Sequence, residues 1–442
     1  MRARHGSFPA RGIAALLAVT CTLTTGADGV GARTPAASFR VDAAHTGVYR
    51  GPAPRLDAVA WRRRMRGRVF GSATIAGGVA YVGDTSGTLV ALRLTDGSLV
   101  WRARTRGGIA STPAVAAGRV FVVAADGLYA LRARDGRVLW RHATPGERRH
   151  TASGFVMPAR RVVPDPWDVF LSSPAVVDGV VYAGSGDGSV YALDARTGTL
   201  RWRFRTRDVV HTSPAVANGV VYAGSFDRSL YALDARTGAL RWRFATLPNA
   251  SPVLEGIASS AAVADGTVYV GARDGHLYAL RASDGALRWR HDDRGSWVIA
   301  SPAVMPRAVC FTTSDELRFF CLDRPNGATR STFRYATYGF SSPAIAGRIA
   351  YFGTFDGILH AVDVRTGREV ARFRTEASRR NAGRVLGPDG RIRADLYGDG
   401  SLAAVERALR QLFSLGAIVA SPAIANGTLV VGTADGVVYA LR

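Results

Sequence analysis

The stretch VVYAGSGDGSVYALDARTGTLRWRF at residues 180–204 returns almost unchanged at 220–244 as VVYAGSFDRSLYALDARTGALRWRF. A unit of this length cannot bury both of its own faces, so a chain built from such copies must stack them. With the proline of SSPAV as anchor, equivalent positions are Ala73, Pro113, Pro174, Pro214, Ala261, Pro302, Pro343 and Pro422: eight copies, most of them 40 or 41 residues apart. Each copy reads as four strands. PAVVDG is a short strand and turn, VVYAGS a β-branched and aromatic strand, SVYALDA an alternating third strand, and TLRWRFRT a fourth that alternates arginine with apolar residues. Pairs such as Asp187-Gly188 join the second strand to the third, and pairs such as Thr197-Gly198 the third to the fourth, as tight hairpins require.

The eighth copy stops at Arg442, after its third strand. Its missing fourth strand is written at the other end of the chain, where residues 57–66 (DAVAWRRRMR) match TLRWRFRT. Pairing that strand into the last blade closes the ring and removes an open edge. The expected fold is all-β: an eight-bladed β-propeller of four-stranded blades over residues 57–442, preceded by an N-terminal extension at 33–56. Three insertions, at about 142–171, 246–257 and 376–417, all follow a fourth strand and should crowd one face. The first is rich in proline, which argues for an ordered loop rather than a strand. The third contains DGSLAAVERALRQLF, a short helix capped by Asp399 or Ser401, whose Leu402, Val405, Leu409, Leu412 and Phe413 form one apolar stripe. The stripe should pack onto the propeller as a lid.

YALDARTGTLRW and its copies resemble the repeats of pyrroloquinoline-quinone-type (quinoprotein-like) propellers, a family that includes BamB-type outer-membrane assembly proteins. The resemblance covers residues 57–442, and DAAHTGVY at 42–49 is also similar to such proteins. It implies that a tryptophan four residues after the turn glycine docks onto the next blade. The matching residues are Trp101, Trp140, Trp202, Trp242 and Trp289, with Trp61 at the seam. Blades six and seven carry Ser331 and Ala371 there, so docking at those two positions must be weaker or use other groups. Quinone-dependent enzymes of this family use adjacent cysteines beside the cofactor, a calcium-type ion and an aspartate base. No two cysteines are adjacent in this chain.

Residues three before each anchor should line the channel mouth. Phe70, Leu171, Ile299, Phe340 and Val419 are apolar there, and His211 stands out. His211, Trp167 and Asp168 of the first insertion, and Trp297 in the loop before blade six form the candidate ligand-binding set. The hairpin aspartates Asp126, Asp187, Asp227, Asp274, Asp315, Asp356 and Asp435 recur with the blades and are assigned to turns, because catalysis normally breaks such symmetry. Cys310 and Cys321 fall nearly opposite each other on neighbouring strands of blade six, as a cross-strand disulfide needs. No phosphate loop, zinc-ligand spacing, haem-attachment motif or nucleophile turn is present. No catalytic or metal-binding residue is therefore assigned.

Arg2, Arg4 and Arg11 precede an apolar run at 13–23 and then small residues, the layout of a signal peptide ending by about residue 32. Ala18 and Thr20 suit a lipid-attachment motif at Cys21 poorly, so lipid anchoring is not expected. Outside that run no segment has the length of a transmembrane helix. The formal charge of +23 suggests a polyanion partner, but all 57 basic residues are arginine, which a GC-rich genome would produce unaided. No specific nucleic acid is expected. The reading is an exported, monomeric, non-enzymatic propeller, periplasmic or extracellular, that binds envelope proteins or polymers and needs no cofactor. A dehydrogenase using pyrroloquinoline quinone and calcium is the alternative, and an envelope polyanion binder the second.

Overall fold

Apolar residues, mostly Val, Tyr and Ala, dominate the second and third strands of the repeats, and such strands must be covered on both faces. A computed structural model shows how. It describes residues 37–154, 156–158, 160–248 and 255–442, all within the compact unit Pro35–Arg442. The expected signal peptide, with Cys21, lies outside the described residues. In blade three, Val180–Ser185 is buried throughout and Ser189–Asp194 nearly so, whereas the outer strand Leu200–Arg205 keeps only Trp202 fully inside. The arginines of that strand face water, which protects an exposed sheet edge.

Eight four-stranded blades of this kind stand in a ring, and an apolar cluster fills each gap between neighbours. Val59–Arg64 pairs antiparallel with Val437–Leu441, setting Trp61 opposite Ala440, so the N-terminal strand completes blade eight. The pairing of third and fourth strands slips by one residue in every blade, just before the tryptophan or the Ser331 and Ala371 that replace it, as between Leu200 and Trp202. A bulge there sharpens the twist and turns the indole toward the neighbouring blade.

The docking is explicit. Indole Nε1 of Trp61, Trp101, Trp140, Trp202, Trp242 and Trp289 donates to a carbonyl of the following blade, at 2.7–3.2 Å. Each ring covers the turn glycine of that blade so closely that a Cβ would clash: Gly238 would place one 2.7 Å from Trp202. Where blade six carries Ser331, its hydroxyl takes over the same bond, to Val364 O at 2.6 Å. Where blade seven carries Ala371, chain from the N-terminal extension fills the space: Tyr49, Ala53 and Leu56 pack into that cluster, and Tyr351 donates to Pro54 O.

Two further devices close the ring. The backbone N–H of Ser72, Thr112, Ser173, Ser213, Ser260, Ser301, Ser342 and Ser421 each donates to the hydroxyl of the next in that order, at 2.8–3.2 Å, and the last returns to Ser72. The extension meanwhile runs across the inner strands, its carbonyls at Ala37, Ala43, Ala44, Thr46 and Gly47 accepting from blades two, four, five, six and seven.

The first and third insertions meet in one apolar cluster over the channel mouth. The third holds two α-helices among its described residues, α1 (Glu376–Val385) and α2 (Leu402–Phe413). Ser401 caps α2, and Val405, Leu409, Leu412 and Phe413 are buried against channel-mouth residues Phe70, Ile299, Phe340 and Val419. One expectation needs correction: the first insertion does contain strands, a hairpin of Thr151–Ser153 and Val162–Pro164. Pro164 ends its strand, where a missing N–H costs no ladder bond.

Candidate functional site on the insertion face

Insertion one can be ordered only if its polar backbone and charges find partners on the scaffold. They do so in a buried knot. Asp168 Oδ1 lies 2.7 Å from His211 Nδ1, and its second oxygen accepts the N–H of His150. Glu147 approaches the other ring nitrogen of His211 at 3.5 Å and accepts from Ser185 and Gly186. His150 bonds Asp208 at 2.8 Å and stacks on Phe226. Asp165, fully buried, pairs with the equally buried Arg273 at 2.5 Å, and that guanidinium lies over the rings of Phe226 and Trp297, 4.8 and 4.5 Å from their centroids.

The electrostatics follow from the geometry. Burial works against a charged His211, but Asp168 and Glu147 prevail and hold its pKa up at about 10. Burial alone would raise Asp168, yet the His211 cation keeps it below the usual carboxylate range. The knot thus ties the insertion to blades three, four and five through buried ion pairs and hydrogen bonds.

Its consequence lies two residues from Asp165. The Asp165 carboxylate accepts the N–H of Trp167 at 2.8 Å, while Arg273 supports Trp297 from behind. Both indoles therefore stand on one rigid unit. They line an open cavity of about 460 Å³, together with Tyr338, Phe340, Ser296, Arg294, Asp315 and Glu316. Trp167 meets Tyr338, Phe340 and Phe355 edge-on or tilted at 5.4–6.0 Å, the geometry ring quadrupoles favour. Tyr338 OH in turn lies 3.3 Å from Tyr397 OH in the third insertion. Beside the cavity, burial and then the Glu316 carboxylate push Asp293 up to about 7, and burial also raises Asp315.

The candidate residues thus separate into two layers. Trp167 and Trp297 face the cavity, whereas Asp168 and His211 form the pair behind it. Among the hairpin aspartates, Asp126, Asp227 and Asp274 accept a backbone N–H from the loop leaving the preceding blade, a latch between neighbours. Asp315 is the one that borders the cavity. Cys310 and Cys321 stand in register and are joined by a disulfide within the core of blade six. The repeats concealed Arg273, Asp165, Glu147 and Tyr338. The signal that could have found Arg273 is a single column of the repeat, the residue before each hairpin aspartate, which reads Gly186, Phe226, Arg273, Ser314, Phe355 and Ala434 in blades three to eight. It stands between a small Ser, Ala or Thr and the constant hairpin aspartate, so a column that changes this widely marks the face where blades have diverged.

A family model described as outer membrane protein assembly factor BamB matches residues 50–165 and 159–373. The chain belongs to this BamB-like family of quinone-type propellers. A curated relative, the outer membrane protein assembly factor BamB of Moranella endobia (strain PCIT), is 27% identical over 153 residues, which cover 34% of this chain and 37% of that protein. The quinohemoprotein alcohol dehydrogenase of Comamonas testosteroni superposes with a TM-score of 0.67 at 15% identity, over 92% of this chain and 80% of its own. The computationally designed Ika8 protein superposes with a TM-score of 0.62 at 16% identity, over 88% of this chain and all of its own. At these identities the two structures share the fold of the BamB-like chain and nothing finer.

Proposed function

We propose that the protein is an exported, non-enzymatic platform of the cell envelope that holds a segment of a partner protein on its insertion-bearing face. The observation that carries this reading is the aromatic cavity, built from the first insertion and three blade loops and fixed from behind by the buried knot. A pre-formed concave site with aromatic walls and a few polar groups is what a docking segment needs. Membership of the BamB-like family supports an assembly role. A quinone enzyme fits the residues less well. The cavity on the propeller axis is only about 50 Å³, bordered by Phe39, Phe70, Phe170 and the serine ring, which is room for a few waters and not for a tricyclic quinone. No group of three or more His, Cys, Asp or Glu side chains placed to hold a metal ion occurs among the described residues.

The test places a photo-crosslinking amino acid at Tyr338 and, as control, at Arg196 on an outer turn. Adducts with one envelope protein at Tyr338 alone, weakened by Trp167→Ala, are expected. Saturable, calcium-dependent binding of pyrroloquinoline quinone by the purified protein, with no adduct at Tyr338, would overturn the reading.

A further inference from the structure

A second cleft lies beside the seam, lined by none of the aromatic-cavity residues. Arg64, Arg66 and Arg68 alternate along the chain leaving the closing strand, and Arg410 from the last turn of α2 joins them around a space of about 640 Å³. Arg68 is held in place by Phe413, whose ring centroid is 4.9 Å from the guanidinium carbon. Burial, and next the neighbouring Arg410 charge, lower the Arg68 pKa, as expected of cations kept together.

Arginine is everywhere on this surface, and what is special here is that four guanidinium-bearing residues converge on one space. On the outer strands elsewhere, Arg201, Arg241 and Arg330 each meet an aspartate of their own blade, while Arg102, Arg104 and Arg205 meet no carboxylate among the described residues but point singly into solvent. In the cleft, Arg66 and Arg68 have no carboxylate partner among the described residues. Arg410 has only Glu406 of its own helix at 3.9 Å. The single acid of the lining, Asp435, is taken by Thr433 and faces Arg64 at 3.8 Å. Holding like charges together on rigid elements is unfavourable unless an anion joins them. Guanidinium forks match the oxygens of a tetrahedral oxyanion better than any other side chain does. We propose that this cleft binds a phosphate group, either free or as a phospholipid headgroup.

The experiment titrates the purified full chain with inorganic phosphate at low salt by calorimetry, and separately measures binding to phosphatidylglycerol and phosphatidylcholine vesicles. Arg68→Ser/Arg410→Ser is compared with Arg196→Ser/Arg236→Ser, which removes equal charge from exposed turns. The cleft variant should weaken phosphate binding about tenfold or more, by loss of charge-assisted hydrogen bonds, and the control about twofold or less through net charge alone. Arg66→Ser, at an exposed position, should weaken it in the same direction and guards against a folding defect in the double variant. Phosphatidylglycerol binding that falls in the same variants assigns a headgroup; phosphate binding without vesicle binding assigns a free anion. Equal losses in cleft and control variants, or no saturable phosphate binding, would overturn the proposal.

Discussion

At the scale of single residues, one position carries the contact between blades, and its variants rank themselves. An indole supplies both an apolar plate over a glycine and a hydrogen bond; Ser331 keeps only the bond, and Ala371 neither. Trp202→Ala should destabilise the fold by about 3–5 kcal/mol, while Ser331→Ala should cost about 1 kcal/mol, both read from denaturant midpoints. The tryptophans were legible because they recur with the repeat. The knot was not, since Asp165 and Arg273 are neighbours only in space. Its pH signature is distinct. The folded pKa of His211, about 10, lies above its ordinary 6.5, so the stability this proton contributes is complete below pH 6.5 and is lost as pH climbs toward 10. His211→Gln should flatten that limb of the pH–stability curve. Asp293, raised from 3.8 to about 7, has the same sign in a lower window, and stability falls as pH rises through it. Asp293→Asn should therefore raise the melting temperature at pH 8 relative to wild type and leave it little changed at pH 4.

At the scale of elements, legibility tracks how much of each segment is apolar and periodic. The α2 stripe was readable because Val405, Leu409, Leu412 and Phe413 fall on one face and are all buried. In α1 only Ala377, Ser378 and Val385 are buried, so no stripe announces the helix, and its start depends on the Thr375 cap. The Thr151–Ser153 hairpin is hidden in the sequence because a proline breaks a strand only where its N–H would enter the ladder, and Pro164 stands at the strand's end. Leu412→Ala should cost about 2–5 kcal/mol. It should also loosen the third insertion, seen as faster amide exchange over 376–417 with blades three to five unchanged. In blade six the cross-strand pair at Cys310 and Cys321 makes a chemical prediction. Thiol titration of the unfolded, non-reduced protein should find no free thiol once residues 1–32 are removed, and one if Cys21 is retained; two or more would mean that the bridge is absent.

At the scale of the whole molecule, closure is over-determined. The seam strand, the hydroxyl ring and the extension across the inner strands each join the two ends of the chain or hold blades that are distant in sequence. The eight anchors disclosed the seam, because a missing strand at one end and a spare strand at the other must pair. They could not disclose the hydroxyl ring, which depends on the angle at which neighbouring blades present Ser and Thr. This redundancy separates stability from solubility in a truncated chain. Removing residues 1–66 takes away the Val59–Arg64 strand and uncovers Val437–Leu441, a wholly buried apolar strand, as a free edge. The four strands of each of blades one to seven and the Ser421-to-Ser72 bond remain, with only the Val48–Tyr49 edge lost from blade seven, so most of the sheet content should survive in circular dichroism. The new edge should instead recruit another chain, as unprotected edges do. Light scattering after size exclusion should show dimers or larger species in the truncated protein and a monomer in the chain that keeps residues 33–66. Restoring residues 57–66 as a separate peptide should return the monomer, because that strand carries its own arginine edge into the open blade.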